Sequence, residues 1–232
     1  MLNLSDAHHF RKTVAGACMI LAPICLLAGA IVAPSSDNNA AAVLRATAAN
    51  QDRFYISTIL VIVGLVLLLP ALLGLMHMLR ERQVAYGHVG GGLVLLGNLM
   101  FMLFAGVSLM QWQMVRGGAR ADMVALYHRF THTAGTEVFL FFSLAFTIGL
   151  VVLAYGLYRA RAVHWSTAGA FAAGAVVLQV AFFVGNTAAW YIVATAILLV
   201  GFWTVGRMVL METDSDWEHT PEFRGFRPAA MH

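Results

Sequence analysis

Six long apolar runs, separated by short polar patches, constrain this chain more than any other feature of its sequence. Each run holds roughly 20 residues or more, the length a helix needs to cross the hydrocarbon core of a bilayer. Backbone groups in lipid must be hydrogen-bonded internally, so only helices or closed barrels can span. Barrel strands alternate over about ten residues, and these runs are longer and continuous. The sequence therefore predicts an all-α, polytopic transmembrane bundle of six helices.

We predict a single transmembrane domain over residues 1–210, followed at 211–232 by a flexible, solvated cytoplasmic tail. The six predicted helices cover about 14–34, 54–79, 89–111, 136–159, 167–186 and 188–210. A short helix is expected near 40–49 and an interfacial helix from Ala121. The first run exceeds the apolar core of a typical signal peptide, so we predict a retained helix rather than a cleaved leader.

Composition and charge support a membrane location. The chain is 60% hydrophobic and only 11% charged, whereas soluble domains carry about 25% charged residues. Both cysteines lie in the first run, which excludes a disulfide framework. No basic run with interleaved aromatic residues occurs, so no nucleic-acid partner is expected.

The distribution of basic residues predicts the orientation in a bacterial cytoplasmic membrane. If the N-terminus is cytoplasmic, nine Lys and Arg residues lie inside and five lie outside. This bias favours both termini in the cytoplasm. The inside set is Arg11, Lys12, Arg80, Arg82, Arg159, Arg161, Arg207, Arg224 and Arg227, and the outside set is Arg45, Arg53, Arg116, Arg120 and Arg129.

Polar residues converge on the predicted outer half of the bundle. Glu137 is the one acidic residue that clearly belongs to a predicted membrane helix, and ionisable residues there are often functional. With Gln111 and Asn186 it suggests a pocket for a lipophilic molecule, although Glu137 also fits an ion pair near the headgroups. Trp112, Trp190 and Tyr191 individually fit an ordinary interfacial aromatic belt.

Two further groups of polar residues suggest other roles. His128 and His132 are four residues apart, so a helix places them on one face, where they are candidates for metal or haem ligation. The alternative is a pair of interfacial histidines. Asn98 and Gln179 lie deep in predicted spans, where we expect them to form hydrogen bonds between helices. No cofactor is otherwise indicated.

Three local patterns carry a resemblance to known proteins: the run from Asp52 to Tyr55, the stretch from Pro70 to Gly74, and the glycines at 90–92. With them the chain resembles a broad class of uncharacterised six-helix membrane proteins of high-GC bacteria. It is also similar in size and layout to small integral membrane terpene cyclases.

The resemblance to terpene cyclases implies acid-initiated cyclisation of a lipophilic isoprenoid. Glu137 would then be the proton donor and Asp52 a second candidate. Substrate contacts would come from aromatic residues that stabilise cations, namely Trp112, Phe139, Trp190 and Tyr191. Two alternatives stay open: a non-catalytic subunit with a membrane protein partner, and the haem or metal protein.

Overall fold

The protein consists of eight α-helices in a computed structural model, which describes residues 4–35, 39–118, 120–184, 188–213 and 217. No strand occurs within these ranges. Six of the helices are long and apolar enough to cross a membrane. This confirms the predicted all-α multi-pass architecture. The helices are α1 (Leu4–Val32), α2 (Ala40–Ala49), α3 (Gln51–His77), α4 (Val84–Met114), α5 (Ala121–Thr131), α6 (Ala134–Arg159), α7 (Trp165–Val184) and α8 (Ala188–Met211).

The helix boundaries lie within about three residues of prediction except at the starts of α4, which begins at Val84 rather than near 89, and of α1. This helix begins at Leu4 rather than near residue 14, because its first turns are polar and precede the apolar part. The two short helices, α2 and α5, lie where the sequence predicts them. Asn39 caps α2, since its side-chain oxygen accepts a hydrogen bond of 2.9 Å from the Ala41 amide.

The six long helices form a closed ring. Each packs against the next long helix along the chain, and α8 completes the ring by packing against α1. Within the described ranges, no two long helices on opposite sides of the ring make comparable contact. We call the end that carries α2 and α5 the capped end, and the end that carries Lys12 and Met211 the terminal end.

The half of the ring near the terminal end is packed solid. Large side chains such as Met19, Leu75, Leu153 and Phe171 are completely buried there. Glycines let neighbouring helices approach closely, as small residues do in membrane bundles. At Gly90, an added methyl group would lie 2.8 Å from the Leu153 backbone nitrogen of α6. Large buried side chains therefore fill the interior of this half of the ring.

The outer surface of the ring is apolar. Large side chains that include Leu103, Phe141 and Val200 are more than three-fifths exposed. A soluble protein rarely leaves so much contiguous apolar surface in water. Lipid chains cover such a surface at little cost, which is consistent with the six membrane spans.

Polar groups inside the bundle join neighbouring helices, as predicted for Asn98 and Gln179. The Asn98 amide nitrogen donates to the Leu65 carbonyl oxygen at 3.2 Å, which links α4 to α3. The Gln179 oxygen accepts from the Thr147 hydroxyl at 3.1 Å. Its amide nitrogen donates to the Ser143 hydroxyl oxygen at 3.3 Å. Both predictions of interhelical hydrogen bonds are confirmed.

The segment after α8 departs from the predicted solvated tail at Trp217. This side chain is only 4% exposed and stacks on His77 with ring centroids 4.7 Å apart. The His77 Nε2 also lies 3.0 Å from the Trp217 carbonyl oxygen. An indole buries a large apolar area when it packs on the bundle, so the chain returns to the terminal end here. The rest of the predicted tail beyond Thr213 lies outside the described residues.

Candidate functional site

A cavity of about 420 Å³ lies inside the half of the ring near the capped end. All eight helices contribute to its wall. The last turns of α1 line it with the small residues Gly29 and Ala30, beside Pro23 and Leu26. A mostly apolar hollow of this size, with a few polar groups, is typical of small-molecule sites.

One wall of the cavity is a continuous cluster of phenylalanine rings from α4, α6 and α7. Phe104 stacks on Phe139 with centroids 3.9 Å apart. Phe101 contacts Phe146 edge to face at 5.1 Å and stacks on Phe182 at 5.9 Å. All five residues line the cavity. Their packing gives a rigid surface against which an apolar ligand can lie.

The polar side chains of the lining include four that lie toward the capped end. Gln111 of α4 donates to the Thr47 hydroxyl oxygen of α2 at 2.9 Å, and both side chains are buried. The hydroxyl-bearing rings of Tyr127 on α5 and Tyr191 on α8 also line the cavity. The two short helices thus cover the cavity and supply part of its polar rim.

The structure brings three of the predicted site residues to this cavity: Gln111, Phe139 and Tyr191. Trp190 precedes Tyr191 on α8, is 40% exposed and does not line the cavity. On an α-helix, adjacent residues differ by about 100° in direction, so the two rings face different surroundings.

Trp112 belongs to a separate surface groove between α3 and α4. Its ring lies 4.8 Å from the Tyr55 ring, and the Arg116 guanidinium carbon lies 5.1 Å from its centroid. The indole nitrogen is buried and makes no hydrogen bond within the described part of the chain. Trp112 therefore faces away from Gln111, its neighbour in sequence.

Both predicted catalytic carboxyl groups lie outside the cavity. Glu137 and Asp52 are exposed and stand in the first turns of α6 and α3. A carboxylate at that position interacts favourably with the unpaired amides of the helix N-terminus. Phe139, two residues after Glu137, faces inward, and about 200° of helical rotation separates the two directions. Neither carboxylate lines the cavity.

The remaining predicted site residues are Asn186 and the histidine pair His128 and His132. Asn186 lies outside the described residues. His128 and His132 are exposed on α5, with ring centroids 4.3 Å apart. Among the residues that the structure describes, no third His, Cys, Asp or Glu joins them in a group that suits a metal ion. The pair alone offers two ligands at an exposed surface.

Several lining residues were not predicted, among them Thr47, Tyr127 and Phe101. Thr47 is an ordinary residue in an alanine-rich helix, and its role depends on the contact with Gln111. Tyr127 lies in the interfacial segment, where burial raises the pKa of its phenol and keeps it protonated. The phenylalanines recur at helical spacing, but lipid-facing residues do so as well.

No family model, curated protein or solved structure matches the chain.

Proposed function

We propose that this protein binds a lipophilic small molecule within the membrane, in the cavity near its capped end. The hollow half of the ring is the observation that supports this proposal. The half near the terminal end is filled by completely buried side chains such as Met19 and Leu75, while the other half contains a cavity of about 420 Å³. Close packing is the rule for protein interiors, and a mostly apolar cavity of this size with a few polar groups suits a lipophilic small molecule.

The orientation and membrane form part of the same proposal. We place the chain in the bacterial cytoplasmic membrane with both termini in the cytoplasm, as the excess of basic residues favours. The capped end and its cavity then lie in the outer half of the bilayer. A ligand would therefore enter the cavity from the outer half of the bilayer, or leave into it.

The proposal is binding rather than acid-initiated cyclisation. Cyclisation requires a carboxylic acid against the ligand, and the described residues that line the cavity include no carboxylate. Glu137 and Asp52, which the resemblance to terpene cyclases implies as proton donors, are exposed. Storage, transport or presentation of a lipophilic molecule needs no such group.

A matched pair of substitutions on α4 tests the proposal. Ala105 is buried and lines the cavity, so Ala105→Phe would occupy part of its volume. The next residue, Gly106, is exposed, and no atom lies within 4 Å of the position of an added Cβ. Gly106→Phe therefore adds the same ring to the lipid-facing surface.

The purified protein and both variants would be extracted and their bound small molecules measured by mass spectrometry. We expect the unaltered chain and Gly106→Phe to retain a molecule in stoichiometric amount and Ala105→Phe to lose it. Ser108→Phe, at another lining position, provides a second test if Ala105→Phe fails to fold. Equal retention by all folded variants, or only bulk lipid in each, would overturn the proposal.

A further inference from the structure

Five serine and threonine residues line the cavity, and four of their hydroxyl groups donate to backbone carbonyl oxygens; the fifth belongs to the exposed Ser35. Ser57 donates to the Gly29 carbonyl oxygen at 2.8 Å. Thr47, Ser108 and Thr195 each donate to a carbonyl oxygen within their own helix. These bonds satisfy the hydroxyl donors and leave only lone pairs for a ligand. They therefore do not supply the donors that a ligand would need.

Apart from the exposed Ser35, two phenol groups remain as O–H donors. Tyr127 and Tyr191 are partly buried and line the cavity, and their side-chain hydroxyl groups form no hydrogen bond within the described part of the chain. The Tyr191 ring is held edge to face against Phe182, with centroids 5.5 Å apart. Gln111 adds a weaker third donor, because one of its two amide protons already bonds Thr47. The unpaired donors in the buried part of the lining are thus chiefly these two phenol O–H groups.

No charged side chain occurs among the described residues that line the cavity. An ionised head group buried there would lose its hydration and find no counter-ion among these described residues, and such burial is very costly. Fatty acid anions, phospholipid head groups and amines are therefore disfavoured. The complementary ligand is uncharged and accepts hydrogen bonds.

On the basis of the proposed function, we infer that the ligand is an uncharged lipid whose head carries carbonyl oxygens, of the ketone or quinone type. Its ring or apolar body would pack against the phenylalanine wall, where Phe101 and Phe139 lie. Its carbonyl oxygens would accept hydrogen bonds from Tyr127 and Tyr191. Aromatic faces and phenol donors together suit a flat, conjugated carbonyl better than a saturated alcohol.

The test compares three probes of similar length on the full chain in mild detergent: a quinone with a short isoprenyl chain, the corresponding isoprenyl alcohol, and a fatty acid. Affinities would be measured by titration calorimetry. We expect the quinone to bind at least tenfold more tightly than either other probe. Equal or tighter binding of the fatty acid or the alcohol would overturn the inference.

Three substitutions to phenylalanine make the test specific to the phenols. We expect Tyr127→Phe and Tyr191→Phe each to weaken quinone binding roughly two- to tenfold, the range for loss of one neutral hydrogen bond. Tyr158→Phe is the control, because Tyr158 is 51% exposed at the other end of the bundle. Unchanged affinity in both cavity variants would contradict the proposed contacts.

The outcomes also separate this inference from the proposed function. If alcohol and quinone bind equally and Ala105→Phe abolishes both, the cavity binds lipophiles but does not select carbonyls. If no probe binds and no molecule accompanies the purified chain, the proposed function itself fails.

Discussion

The side chain of Gln111 donates a hydrogen bond of 2.9 Å to the Thr47 hydroxyl oxygen, across 64 positions of the chain. This bond joins the last part of α4 to the short helix α2. Thr47 in turn donates to the Val43 carbonyl oxygen at 2.9 Å. The Gln111 side chain therefore fixes one of the two short helices that cover the cavity.

Gln111→Leu is expected to loosen α2 without unfolding the ring. Loss of a neutral hydrogen bond costs about 0.5–1.5 kcal/mol, and the remaining contacts of α2 are few. Hydrogen exchange should become faster in residues 40–49 and stay unchanged in the middle of α6. Gln113→Leu, at an exposed position on the same helix, is the control. Equal exchange in both variants would show that the bond does not hold α2.

Gly90 and Gly92 should respond oppositely to alanine. A Cβ at Gly90 would lie 2.9 Å from the Gly149 carbonyl oxygen, whereas nothing lies within 4 Å of a Cβ at Gly92. Gly90→Ala must move α4 away from α6, which should cost about 1–3 kcal/mol. Gly92→Ala removes a flexible residue from a helix and should be neutral or stabilising by up to about 1 kcal/mol. Thermal unfolding in detergent measures both, and equal melting temperatures would contradict the close approach.

Gln179→Leu should weaken the contact between α6 and α7. It removes the hydrogen bonds to Thr147 and Ser143, for which we expect a loss of about 1 kcal/mol, in the range measured for hydrogen bonds inside membrane bundles. A double-mutant cycle with Thr147→Val isolates the shared bond. Thr204→Val is the control, because the Thr204 hydroxyl bonds only within its own helix. Purely additive effects would show that the pair does not interact.

High pH should destabilise the fold through Tyr127. Burial raises the pKa of this phenol above its usual value of 10.0, so the folded chain retains a proton that the unfolded chain releases. The free energy of unfolding therefore falls as pH rises above about 10 and is unaffected below it. Tyr127→Phe should reduce this fall relative to the unaltered chain. Identical pH profiles of thermal stability would mean that the Tyr127 phenol is well hydrated.

The helices of this fold can be predicted from the sequence, because the thickness of the bilayer sets the length of each apolar run. Six apolar runs of spanning length give six long helices, and interruptions such as residues 35–52 give the short ones. The deep polar residues Asn98 and Gln179 were likewise predictable as interhelical hydrogen-bond formers, since lipid offers them no partner.

Which side chains face the cavity was decided only by the tertiary structure. Helices in a membrane are apolar on all sides, so their sequence carries little information about which face turns inward. Glu137 therefore seemed from sequence to be a buried acid, whereas packing turns Phe139 inward and leaves Glu137 exposed in the first turn of α6. Tyr127 reaches the cavity because α5 folds across the ring, and no local pattern encodes that contact. The sequence by itself determined the number, length and membrane location of the helices; their packing alone decided where the cavity lies and which groups line it.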